Sequence, residues 1–409
     1  MNVLIINCGS STLKFKVMET RHDTPSCHER ILAGGIIDRI GGQGEIRFKT
    51  EDGEDLREVR EVKDYEIASD IMFDWIESIG LMKPGGIEAV GHRVVHGGYR
   101  FVEPAIIDDE VIDAIEAMRN IAPLHNDPSL KAIRSARARL GPHFPMVAVF
   151  DTAFHCNMPE SASRYAIPIE LADKHRIRRY GFHGLAHRFM AERYAIITER
   201  PLKELRLVTL QLGNGCSATA IDGGRSVDTS MGFTPLEGLM MGTRSGDVDP
   251  HLPGFLARHE GVDIEEVEDW LNRRSGLLGV SGHSNDMREL LGKKSKGDLR
   301  ASLAVEIFCY RAKKQIGAYF AAIGGADAVI FGGGIGENSP EVRARICAGM
   351  EWCGLALDED INAGTIGSEN RISKDSARIH VYVIPVDEEA VIVRDTVLCL
   401  HIINRHLRR

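Results

Sequence analysis

The sequence predicts an α/β protein made of two related halves, and three observations carry that prediction. Short apolar runs of strand length alternate with longer amphipathic stretches, the pattern of strands joined by helices. The stretch Val3–Val17 reads strand, glycine turn, strand, with Gly9-Ser10-Ser11 at the turn. Leu207–Ile221 reads the same way around Gly213-Asn214-Gly215, half a chain later. Glycine turns between strands are common, so this echo leaves coincidence open beside duplication. Finally, 409 residues that are 43% hydrophobic and 27% charged suit roughly two or three domains of about 150 residues. A disordered chain would lack that apolar surface.

In chain order, the apolar runs predict strands at Val3–Asn7, Leu13–Val17, Ala89–Val95, Met146–Phe150, Leu207–Leu212, Ala328–Phe331 and His380–Pro385. Helical periodicity predicts helices at Asp109–Arg119, Pro128–Leu140, Asp263–Arg273, Leu299–Ile323, Pro340–Met350 and Glu388–Ile403. Pro128 and Pro340 suit first helical positions, with Asp127 and Ser339 before them as caps. The acid-rich stretch Glu51–Asp70 reads as a solvated loop or hairpin.

A net charge of −9 argues against general nucleic-acid binding, which needs a basic footprint, while leaving room for a local basic pocket. No run approaches the ~20 apolar residues that span a membrane. The first ten residues carry no basic region and read as a buried strand, not a secretion signal. Eight cysteines without a C-x-x-C pair suggest reduced, mostly buried thiols in a cytoplasmic protein.

Six motifs carry chemistry. In Asn7-Cys8-Gly9-Ser10-Ser11-Thr12-Leu13-Lys14, small residues let backbone N–H groups approach a phosphate, and hydroxyls and Lys14 add donors. No Walker A pattern occurs. In Gly91-His92-Arg93-Val94-Val95-His96-Gly97-Gly98, an arginine at a strand end is placed to fork onto a carboxylate or phosphate, or else is a plain edge-strand residue. Three His-bearing patches follow, at Pro123–Asn126, Val149–His155 and Arg178–Gly184. Asp151 ends a strand, where ligands bind in open α/β sheets, and His183 sits between Phe182 and Gly184. The run Leu212–Gly215, Asp228–Pro235 and Gly242–Asp247 is too rich in glycine and hydroxyls to build a core, and holds Arg244. Phe331–Asn338 is a glycine turn between strand and helix, but it lacks the last glycine of the dinucleotide fingerprint. In Ile384–Glu389, spacing alone favours Asp387 as a helix cap with two glutamates on the dipole, over a metal site.

Together these motifs resemble the acetate kinase family. The resemblance runs through Asn7–Lys14, Gly91–Gly98, Ala122–Asn126, Val149–Phe154, Arg178–His187, Ser226–Asp249, Ser275–Arg288, Gly333–Asn338 and Ile384–Thr396, nearly the whole chain. Ser226–Gly238 is its most specific segment. The resemblance implies two duplicated ribonuclease-H-like domains of the actin-like ATPase type flanking a nucleotide cleft. Domain I would be residues 1–150 plus 386–409, and domain II, the nucleotide-binding one, 151–385. It implies reversible, Mg²⁺-dependent (or Mn²⁺-dependent) phosphoryl transfer between ATP and a short carboxylate, in a homodimer.

The resemblance also implies roles. Arg93 and Arg244 would flank the transferring phosphoryl group, His183 would donate to it, and Asp151 would orient these groups. Val95, Leu124, Phe182 and Pro235 would line the acyl pocket. Asn7 and Glu388 would hold the metal, against the capping reading of Glu388. Lys14, Gln211, Leu212, Gly213, Asn214 and Gly215 would meet the nucleotide phosphates. Asp286, Met287, Arg288 and the run Gly333, Gly334, Ile335, Gly336, Glu337 and Asn338 would line its adenosine end. The chain departs from the usual pattern at Thr12, Gln211, Leu185-Ala186, Asp127 and Val386-Asp387, where Ser, His, Thr-Ser, Pro and Thr-Asn are typical. A propionate or other short-chain acyl kinase, a pyrophosphate-using relative, and a non-catalytic actin-like nucleotide-binding module are the alternatives.

Overall fold

The computed structural model describes residues 1–9, 11–20, 30–53, 55–118 and 123–407, with the side chains of 123–125 and 403–407 outside the description. The chain divides into two compact units, Met1–Ala153 with Asp387–Arg409, and Phe154–Val386. Asp151 thus lies in the first unit and Val386 in the second, unlike the division implied by the resemblance.

The first unit holds β1 (Asn2–Cys8), β2 (Leu13–Glu19), β3 (Arg30–Asp38), β4 (Gly42–Thr50), β5 (Asp55–Val62), β6 (Ala89–Val94), β7 (Ala105–Ile106) and β8 (Met146–Phe150). They form one sheet in the order β5-β4-β3-β2-β1-β6-β8-β7. Strands β1, β6 and β8 are mutually parallel, and the others pair antiparallel. The parallel strands are buried on both faces, which is why Val3-Leu4-Ile5-Ile6 and Met146–Phe150 read as unbroken apolar runs. Charge-rich β5 is the exposed edge, where pairing with another chain is discouraged.

The second unit holds β9 (Arg206–Leu212), β10 (Cys216–Asp222), β11 (Arg225–Thr229), β12 (Ala328–Gly332), β13 (Asn370–Arg371) and β14 (His380–Val383), in the order β11-β10-β9-β12-β14-β13. Its core order repeats the first unit's β3-β2-β1-β6-β8. A three-strand antiparallel meander is joined by two parallel strands, and each sheet closes on a short antiparallel edge strand. This shared topology decides for duplication over coincidence. In each unit the carboxyl ends of the parallel strands fall where the strand order reverses, the usual position of a ligand site.

Local differences have local causes. The helix expected from Pro128 begins at Pro123, so Pro123 fills the first helical position and Pro128 sits inside at the loss of one helical bond. Asp127 is therefore not its cap. Ser339 stands at the predicted cap of Pro340–Cys347, but its hydroxyl makes no capping bond. Asp263 does cap Ile264–Arg273, accepting from the Glu266 N–H at 2.8 Å. Glu51–Asp70 is only in part the expected hairpin. Asp64 caps a helix, Tyr65–Ser78, whose Tyr65, Met72, Phe73 and Ile76 enter the core. Gly333–Asn338, expected as a turn, is helical. The seven described cysteines are free. Among the described residues, no helix is long and apolar enough to cross a membrane.

Among the described residues, four histidines are buried, and burial lowers the pKa of each: His92 to about 3, His96 and His155 to about 4, and His187 well below 6.5. The unfolded chain would take up protons that the folded state refuses, so stability falls as pH drops below 6.5. Each histidine contributes up to about 1.4 kcal/mol per pH unit. The urea midpoint at pH 5.5 should lie below that at pH 7.5, and an equal or higher midpoint would contradict this assignment.

Candidate active site

In the first unit, the β1–β6–β8 register sets Asn7, Arg93 and Val149 side by side near the strand ends, with Asp151 just beyond β8. Arg93 forks onto Asp151 through Nε at 3.0 Å and Nη2 at 2.5 Å, and its Nη1 donates to Asn7 Oδ1 at 3.0 Å. Asn7 Nδ2 donates to Glu388 Oε2 at 3.3 Å, and that oxygen lies 3.8 Å from Arg93 Nε. Asp151 is fully buried and the Arg93 side chain is 12% exposed. Burial would pull Arg93 down, but Asp151 and Glu388 raise it above the ordinary guanidinium range. Three of its five N–H groups are engaged, which leaves two for an anion.

Glu388 opens the helix Glu388–Leu407. Burial raises its carboxyl pKa, and Arg93 opposes that shift. Asp387 does cap this helix, accepting from the Ala390 N–H at 3.2 Å. Lys16 pairs with Asp387 at 3.3 Å and Glu389 at 3.4 Å, so the departure at Asp387 brings its own counter-ion. Lys14, on the same face of β2 as Lys16, acts electrostatically on Glu388. Val95 is buried just after β6. The neighbouring His96 is clamped by Asn126, which accepts from its N–H and donates to its carbonyl, both at 3.0 Å. The side chain of Leu124 lies outside the described residues.

In the second unit, His183 takes a left-handed conformation at φ 55° and starts the helix Gly184–Ile197. His155, buried, is 3.1 Å from the Phe182 carbonyl and 2.8 Å from Ser226 Oγ, which fixes the backbone just before His183. A Cβ placed on Gly215 would lie 3.5 Å from His183 Nε2 and 3.6 Å from Arg244 Nη1. Two donor groups therefore face the backbone of the Gly213–Gly215 turn, within van der Waals reach of the Gly215 position. Burial lowers the pKa of Arg244, whose Nη1 also donates to the Pro235 carbonyl at 3.2 Å. Phe182 and Pro235 are both buried.

The nucleotide candidates divide by what their side chains do. Asn214 is tied down by the Gly242 N–H on its carbonyl at 2.8 Å and by Asn285 on its Oδ1 at 3.0 Å. Leu212 and Met287 are buried, so they can meet a ligand only through backbone. Asp286 caps Met287–Lys294 and is forked by Arg288, whose side chain is 90% exposed. Gly333, at φ 75°, packs so closely on the Leu212 backbone that a Cβ would clash. Gly334, Ile335, Gly336 and Asn338 lie on the short helix Gly333–Asn338. The Glu337 carboxylate is turned inward, accepting from the N–H groups of Gly333 at 2.8 Å and Val386 at 3.1 Å. The sequence reading missed Arg343, which is fully buried and donates only to oxygens around this helix, the Gly336, Glu337, Asn362 and Thr365 carbonyls and Asn362 Oδ1. It also missed Ser217, which contacts both His183 and His187. The i, i+4 spacing of His183 and His187 was the part of this arrangement visible in the sequence.

Residues 2–394 match the Acetokinase family. The chain belongs to that family. It is 50% identical to an acetate kinase of Solibacter usitatus, an alignment covering 98% of each chain. The crystal structure of Porphyromonas gingivalis acetate kinase superposes with a TM-score of 0.89 at 40% identity, covering 98% of this chain and 99% of that one. A propionate kinase from Francisella tularensis superposes with a TM-score of 0.88 at 37% identity, covering 96% of this chain and 98% of that one. Membership of the Acetokinase family makes this protein an enzyme, a kinase acting on small molecules with ATP, built on the two-sheet α/β fold of its relatives.

Removing Asp151 would leave Arg93 buried with only the less closely aligned Glu388 and Glu389 carboxylates to balance it. Replacement of a partner in such a buried pair costs about 3 to 5 kcal/mol. Asp151→Ala should therefore lower unfolding stability by about that amount in urea titrations. A loss below about 1 kcal/mol, the scale of a surface pair, would contradict the tight coupling drawn here.

Proposed function

We propose that this protein transfers the γ-phosphoryl group of ATP directly to a carboxylate oxygen of acetate, reversibly, giving acetyl phosphate and ADP. The observation that carries this reading is the approach of Arg244 Nη1 and His183 Nε2 to one point at Gly215. Phosphoryl transfer needs in-line positioning and donors on the equatorial oxygens more than covalent chemistry. In this reading Arg244 and His183 are those donors. Arg93 offers its two remaining N–H groups to the acceptor, and Asp151 holds Arg93 in place. No base is required, because a carboxylate is already ionised at neutral pH. By the family resemblance, Val95, Leu124, Phe182 and Pro235 would take the acyl group. Lys14, Gln211–Gly215, Asp286–Arg288 and Gly333–Asn338 take the nucleotide, with Leu212 and Met287 acting through backbone and Glu337 through the helix it pins.

Asn7 and Glu388 fit a hard divalent cation. Among the described residues, no three His, Cys, Asp or Glu side chains are grouped as a metal cage. Sparse ligation suits Mg²⁺ (or Mn²⁺), which keeps several waters and takes substrate phosphates with one or two carboxylates. Such an ion would offset phosphate charge, and Glu388 and the Asn7 amide would orient it. The same reading takes the protein to be a cytoplasmic homodimer, as the family resemblance implies.

An ATP- and Mg²⁺-dependent hydroxamate assay with acetate, propionate and butyrate tests this function. Acetate should be preferred. Because one methylene is worth only about 1–3 kcal/mol, a propionate preference would move the acceptor and keep the mechanism. No acyl phosphate from any acid would sink the reading. Arg244→Ala should lower kcat by about 10²–10³-fold, the scale of one transition-state donor, with ATP still bound. Unchanged turnover in that variant would remove Arg244 from the mechanism.

A further inference from the structure

Helix Gly184–Ile197 sets His187 one turn beyond His183, and both rings meet the Ser217 hydroxyl of β10. Ser217 Oγ lies 2.9 Å from His183 Nδ1 and 2.7 Å from His187 Nε2, and Thr209 Oγ1 lies 2.7 Å from His187 Nδ1. Ser217, His187 and Thr209 are all fully buried. The β9–β10 register puts Thr209, Gln211, Ser217 and Thr219 on one face of the sheet, a polar row in otherwise apolar strands.

A serine hydroxyl carries one proton. Between two imidazole nitrogens it donates to one and accepts from the other. Burial drives the His187 pKa well below 6.5, so this ring is neutral, with one N–H and one lone pair. With His183 neutral, only two arrangements satisfy the chain. In the first, Thr209 donates to His187 Nδ1, His187 Nε2–H donates to Ser217, and Ser217 donates to His183 Nδ1. His183 then carries its proton on Nε2. In the second every bond reverses, and His183 carries a lone pair, not a proton, on Nε2. That atom is the one that faces the Gly215 position beside Arg244. A lone pair there would repel a phosphoryl oxygen, whereas an N–H would donate to it.

We propose that Ser217, oriented by His187 and Thr209, is a positioning residue that holds neutral His183 in its Nε2–H tautomer, so that the ring donates to a phosphoryl oxygen. This rests on the phosphoryl-transfer reading above and adds the residues that hold the donor tautomer once the ligand has set the direction of the chain. The direction of the chain follows from the ligand: an anionic oxygen at Nε2 favours the first arrangement over the second.

Imidazole ¹⁵N NMR of the full-length protein with ADP and Mg²⁺ reads the tautomer directly, His183 signals being those absent in His183→Asn. Wild type should show protonated Nε2 and unprotonated Nδ1 at His183. Ser217→Ala should shift His183 toward the other tautomer and lower kcat by up to about 10²-fold, the low end for losing one transition-state donor. KM for ATP and acetate should stay within twofold. Wild-type His183 with its proton on Nδ1 would overturn the proposal whether or not Ser217→Ala folds. So would a Ser217→Ala enzyme with wild-type tautomer and kcat. An inactive wild type with the Nε2–H tautomer would instead count against the phosphoryl-transfer reading alone.

Discussion

A guanidinium buried at the carboxyl ends of parallel strands is the constraint around which the first unit's site is arranged. Taking Arg93 out of water costs several kcal/mol unless its partners are close and well aligned. Asp151 supplies two aligned acceptors, Asn7 a third, and Glu388 a nearby charge. Each of these comes from a different place in the sequence: the end of β1, the end of β8, and the first turn of the C-terminal helix. The return of residues 387–409 to the first unit is thus part of the same arrangement, because it brings Glu388 to Arg93 and lets Asp387 and Glu389 engage Lys16 on β2. The residues proposed to hold acceptor and metal share one electrostatic network.

The second unit solves a different problem with the same sheet topology. Asp151 and Glu388 hold Arg93 above its ordinary range, whereas burial holds Arg244 below it. A desolvated guanidinium with lowered pKa gains most from an incoming anion. His183, beside it, is fixed by its backbone through His155 and by its ring through Ser217. Duplication produced two sheets of one design, and the residues proposed for phosphoryl transfer divide between them: Arg93 with Asp151 in one, Arg244 with His183 in the other.

Much of this was legible in the sequence, for identifiable reasons. Strands β1, β8 and β12 were read almost to the residue because burial on both faces makes their apolar runs continuous. The duplication was legible because both hairpins carry glycine turns. Arg93 and Asp151 stood out at the ends of apolar strands, and His183 and Arg244 among glycines. What was not legible depended on partners far away in sequence. Asp387 as a cap was readable from its neighbours, but its pairing with Lys16 was not. Ser217 looked like any polar residue in a strand until the Gly184–Ile197 helix set two imidazoles on it. Arg343 lay in an unremarkable helix, and its role emerges only from the carbonyls that converge on it. Glu337 was counted with the nucleotide residues by position, whereas its carboxylate points inward to two backbone N–H groups.

The central claim is that Asp151 acts through Arg93. A double-mutant cycle on kcat/KM for acetate, with Arg93→Lys, Asp151→Asn and the double variant, measures that coupling directly. If Asp151 serves to hold the guanidinium, the double variant should be little worse than the worse single variant, because Asp151 has no further effect once the fork of Arg93 is gone. Losses that multiply across the two sites would show Asp151 acting on the substrate independently and would contradict the account.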